Sequence, residues 1–96
     1  MSNSLFTCPC CGYAGLDESA WNSIGSPSDE ICPCCGIQFG YTDAAGGDLA
    51  RRHEVYRQWR RNWARRGMPW SSPGQGPPPG WDPEVQVEQF LGHRNE

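Results

Sequence analysis

Lysine is missing from this chain, and the first 48 residues contain no arginine either. Every basic side chain other than the two histidines is therefore a guanidinium. Seven of the eight arginines crowd between Arg51 and Arg66. Arginine without lysine points to forked or stacked contacts more than to plain solubility. No apolar run approaches about 18 residues, which excludes a membrane-spanning helix. Met1 to Phe6 is too short and too polar for a signal peptide, so none is expected. Core-building residues are scarce. The 96 residues are 36% hydrophobic and include 12 Gly and 9 Pro. One domain of this size and composition buries little surface and is expected to need a staple. Neither His53 nor His93 has the spacing of a metal ligand or a base, and no activated nucleophile is evident. An enzyme is therefore not expected.

What the chain does have is one phrase written twice. Cys8-Pro9-Cys10-Cys11-Gly12 recurs as Cys32-Pro33-Cys34-Cys35-Gly36, and these copies hold all six cysteines. Cys-x-x-Cys spacing selects Cys8 with Cys11 and Cys32 with Cys35 as the four ligands of a tetrahedral thiolate site. Proline after the first ligand fixes the backbone of each knuckle. Glycine after the second permits a positive φ and frees N–H groups to face the sulfurs. A secreted disulfide framework is the competing reading of six cysteines. Their clustering and the two facing Cys-x-x-Cys pairs favour metal, and with it a reducing cytoplasm. Four thiolates on Zn²⁺ close the coordination shell and leave no position for substrate, so the ion is structural. Iron held in the rubredoxin manner would use the same ligands, but nothing else marks an electron carrier. Three readings stand for Cys10 and Cys34: small bystanders, redox-sensitive thiols, or bridging ligands of a larger cluster.

Short strands are expected to flank the knuckles, with Ile37 to Tyr41 showing the alternation of a strand. The expected fold class is α+β: a zinc ribbon over residues 5–42 with a short antiparallel sheet, one main helix and a short C-terminal helix. The main helix is placed at 48–66, with Asp48 as N-cap and Gly67 as stop. On a helical wheel Leu49, Arg52, Tyr56, Trp59 and Trp63 face inward, while Arg57, Arg61 and Arg65 form an outer stripe with Arg51 at its far edge. Residues 71–80 are dense in Pro and Gly and read as extended. Residues 81–92 read as an anchor, Trp81, followed by a short helix opened by Asp82-Pro83.

The run Glu30-Ile31-Cys32-Pro33-Cys34-Cys35-Gly36-Ile37-Gln38-Phe39-Gly40-Tyr41-Thr42-Asp43 resembles the signature of small bacterial cysteine-rich proteins named for their CPCC motif. Arg57, Trp59, Gly67, Trp70, Pro78, Trp81 and Pro83 extend the resemblance over nearly the whole chain. It implies a bacterial zinc-ribbon-like protein of unassigned function, with Cys8, Cys11, Cys32 and Cys35 as its ligands.

The leading functional expectation is a protein interaction module with an unknown protein partner, whose partner surface comprises Arg57, Arg61, Arg65 and Trp70. The alternative is a nucleic-acid-binding ribbon, since residues 48–66 carry seven arginines against Asp48 and Glu54, a local charge of +5. A net charge of −3 and a pI near 5.3 weigh against that alternative. A thiol redox protein is a weaker third reading.

Overall fold

The computed structural model describes residues 5–92. Two cysteine knuckles come first, then a single 3-10 turn over Ala45–Gly47, helix α1 over Leu49–Arg65 and helix α2 over Pro83–Gly92. The knuckles close in the same way. Cys8 N donates to Tyr13 O at 2.7 Å and Gly12 N to Cys8 O at 3.0 Å; Cys32 N donates to Ile37 O and Gly36 N to Cys32 O, both at 2.9 Å. Gly12 and Gly36 sit at φ 89° and 84°, the left-handed region that suits glycine.

No strand forms among the described residues, and this corrects the expected α+β ribbon: the fold is a small helical one. Pairing is limited to isolated antiparallel bridges, Phe6 with Leu16, Trp21 with Pro27, and Ile31 with Gln38. The reasons are local. Each knuckle hairpin is interrupted within a residue or two of its bridge, so no ladder propagates. Pro27 has no N–H to donate. After Phe39 the chain turns at once, with Thr42 N donating to Gln38 O at 2.9 Å and Gly40 N to the Asp43 carboxylate at 2.7 Å. The alternation in Ile37-Gln38-Phe39 is real, since Ile37 and Phe39 are fully buried and Gln38 is half-buried. It has no neighbouring strand to pair with.

Helix α1 begins at Asp48, whose Oδ1 accepts from Ala50 N at 3.0 Å and Arg51 N at 3.2 Å. It ends in a Schellman turn. Gly67, at φ 92°, donates to Ala64 O, and Met68 N donates to Trp63 O, each at 3.0 Å. Its inner face buries Arg52, Tyr56 and Trp63, with Val55 and Trp59 packed beside them. Leu49 lies outside this face at 64% exposure, because the inward surface begins one turn later. Asp82 caps α2 through Glu84 N and Val85 N. Between the helices, Ser71 N and Ser72 N both donate to Pro33 O, at 3.1 and 2.9 Å, bringing the extended segment back onto the second knuckle.

The core is built around sulfur and aromatic rings. All six cysteines, Leu16, Ile37, Phe39 and Trp63 are buried. A second, aromatic layer runs from Tyr13 to Trp70 to Trp81, with edge-on contacts of 5.4 and 5.1 Å between ring centroids.

Candidate metal centre

The turns of the two knuckles bring Cys8, Cys11, Cys32 and Cys35 together, with all four Sγ atoms within 4.8 Å of one another and all four residues buried. Cys11 Sγ and Cys32 Sγ, one from each knuckle, lie 3.8 Å apart. A tetrahedron of metal–sulfur bonds about 2.3 Å long has edges of about 3.8 Å. The site therefore has the donor type, number and spacing to hold one metal ion. Within the sulfur cluster, burial pushes the Cys8 thiol well up. The hydrogen bond between Cys11 and Cys32 pushes the Cys32 thiol down. A bound divalent ion would stabilise all four as thiolates and release their protons.

Cys10 and Cys34 lie outside this quartet but against it, Cys10 beside Cys35 and Cys34 beside Cys11. Both are fully buried. The Cys10 thiol donates to the Tyr56 carbonyl of α1 at 3.4 Å. Cys34 Sγ accepts from Gln86 Nε2 of α2 at 3.3 Å. Each middle cysteine thus faces one helix while its neighbours face the metal position.

The helices also fasten to the knuckle backbone. Trp59 Nε1 donates to Cys35 O at 3.0 Å, Arg60 to Cys10 O at 2.8 Å, and Gln86 Nε2 to Cys11 O at 3.2 Å. Side chains from both helices thereby satisfy carbonyls that tight turns leave unpaired.

Beside the sulfur cluster lies a polar centre that sequence reasoning missed. Asp43 is completely buried. Its Oδ2 accepts from Trp21 Nε1 at 2.8 Å and from Tyr56 OH at 2.7 Å, while Oδ1 accepts from Gly40 N. Arg52 lies with its guanidinium carbon 3.6 Å from the Trp21 ring centroid and donates to Asp43 O at 2.9 Å. Burial, reinforced by the bond to the Asp43 carboxylate, pushes the Tyr56 hydroxyl far above the usual tyrosine range. An arginine placed on an aromatic helix face was the sequence signal for this centre; such a residue needs acceptors, and Asp43 closes the acidic end of the cysteine-rich run.

The expected partner residues separate in space. Arg57, Arg61 and Arg65 are exposed on α1, and Arg57 pairs with Glu54. Trp70 is half-buried between Tyr13 and Trp81, and its indole N–H donates to Gln75 O. No described helix is long and apolar enough to cross a membrane.

Two proteins of Bacillus subtilis (strain 168) are similar to this chain, and both are named as uncharacterised. YozI is 31% identical over 78 residues, covering 72% of this chain and 64% of its own length. YoaQ is 29% identical over 76 residues, covering 71% and 64%. The chain thus spans just under two thirds of each of these curated relatives. No family model matches the chain. No solved structure matches it.

Proposed function

We propose that this is a non-catalytic, zinc-stapled interaction module of the CPCC type, working in the cytoplasm and presenting the outer face of α1 to a macromolecular partner. The supporting observation is the convergence of four buried cysteine sulfurs within 4.8 Å of one another. Four thiolates fill the shell of Zn²⁺, so the ion organises the fold and holds no reactant. Zinc is preferred over iron because nothing else in the sequence marks an electron carrier. Exposed Arg61 and Arg65 have no carboxylate partner among the described residues, which leaves them available for an external anion.

Elemental analysis of protein purified from its native host tests the reading. One zinc per chain is expected, with helical circular dichroism lost on chelation. Stoichiometric iron, or a metal-free protein that stays folded, would overturn it.

A further inference from the structure

We infer that the outer face of α1 is a recognition surface for double-stranded DNA, an inference that rests on that face being the working surface of the module. Arg51, Arg57, Arg61 and Arg65, with Gln58 and Asn62 between them, are all exposed along one side of the helix. The acidic group among them, Glu54, is already held by Arg57 and by Gln58 Nε2. The face therefore carries a net positive charge, and Arg52 and Arg60 are committed elsewhere, to the Asp43 and Cys10 carbonyls.

The composition of the face selects the partner. Apart from the small Ala50, it has no apolar side chain, whereas a protein–protein interface desolvates an apolar or aromatic core. It has no aromatic ring either, whereas single-stranded nucleic acid is bound by stacking bases on such rings. The major groove of A-form RNA is too deep and narrow for side chains to read, and its minor groove is recognised by shape and 2′-hydroxyl contacts. The major groove of B-DNA admits an α-helix, and arginine, glutamine and asparagine are the side chains that contact phosphates and base edges there. Successive stripe arginines are four residues apart, a rise of about 6 Å, so the charge is spread along the helix and not focused at one point. The acidic remainder of the molecule is screened within about 8 Å at physiological salt.

The test uses the zinc-loaded full chain and fluorescence anisotropy with a labelled mixed-sequence DNA duplex, beginning at about 20 mM salt. Zinc content and circular dichroism are read on the same sample. Three phosphate contacts, from Arg51, Arg61 and Arg65, predict a log–log salt slope of about −2.7, which is roughly a fortyfold loss of affinity from 50 to 200 mM salt. The Arg51→Gln/Arg61→Gln/Arg65→Gln variant should keep its zinc and helicity while the slope falls to near zero. Absence of duplex binding by folded, zinc-loaded protein at the lowest salt overturns the inference and leaves the zinc reading intact. So does equal or tighter binding to single-stranded DNA, to duplex RNA or to polyglutamate; the last would identify an acidic protein segment as the partner. Loss of zinc or of helicity in the unmodified protein would instead count against the zinc-stapled module itself.

Discussion

Tyr56 touches both centres of this molecule at once: its hydroxyl donates to Asp43 Oδ2 at 2.7 Å, and its backbone carbonyl accepts from the Cys10 thiol at 3.4 Å. One residue of α1 thus joins the buried carboxylate to the first knuckle. Removing the hydroxyl, as in Tyr56→Phe, leaves Oδ2 with Trp21 alone and should cost about 1–3 kcal/mol. Asp43→Ala strands the donors of Trp21, Tyr56 and Gly40 together and should cost about 3–5 kcal/mol. Urea unfolding of the zinc-loaded variants, followed by tryptophan fluorescence, measures both. Equal stability of Asp43→Ala and the parent would show that the network contributes nothing.

The same hydroxyl carries a pH signature. Its folded-state pKa is raised, so the neutral form is favoured by folding. The stabilisation is complete below the ordinary tyrosine value near 10 and is lost as pH climbs through the higher folded value. Tyr56 should therefore ionise together with unfolding. In an alkaline titration, its phenolate absorbance should rise with the loss of helical circular dichroism. Reversible ionisation of Tyr56 in a still-helical protein would contradict the hydrogen bond to Asp43.

Serine substitution divides the six cysteines. Cys8→Ser, Cys11→Ser, Cys32→Ser or Cys35→Ser should each lose tight zinc binding and the folded state. Cys10→Ser and Cys34→Ser should retain one zinc per chain, with a penalty of about 1–2 kcal/mol for a small polar group in a buried position. Zinc stoichiometry and thermal melts on the six variants decide it, and the reverse pattern would reassign the ligands.

The two knuckle glycines predict unequal damage. A Cβ at Gly12 would lie 2.6 Å from Phe90 Cβ, an atom anchored directly to the α2 backbone. A Cβ at Gly36 would meet the Ser71 hydroxyl at 2.7 Å, which can rotate away. Both positions also have positive φ. Gly12→Ala should therefore be the more destabilising by about 1–2 kcal/mol and should loosen α2, seen as faster hydrogen exchange there. Equal effects would mean that backbone strain alone sets the cost.

The parts of this fold that were legible in the sequence are those set by short-range rules. Asp48 and Gly67 bracket α1 because a side-chain cap and a left-handed residue act within one turn. The grouping of Cys8, Cys11, Cys32 and Cys35 was legible because Cys-x-x-Cys spacing is itself a turn geometry. The sheet was misjudged because alternation in Ile37-Gln38-Phe39 reports burial on one side and says nothing about a partner strand. Asp43 and Trp21 escaped because they lie 22 positions apart, with the whole second knuckle between them. Trp70 is set by two long-range ring contacts, to Tyr13 far upstream and to Trp81, that no local pattern encodes.

The amide of Gln86 reaches both Cys11 O and Cys34 Sγ, one contact on each knuckle. Helix α2 therefore has no complete seat until both knuckles are closed. All four cysteines of the quartet lie before residue 36, and the elements that clasp their knuckles follow in chain order, α1 and then α2. Both knuckles thus precede both helices in the chain, and Gln86 is the residue through which the last helix closes over the two of them.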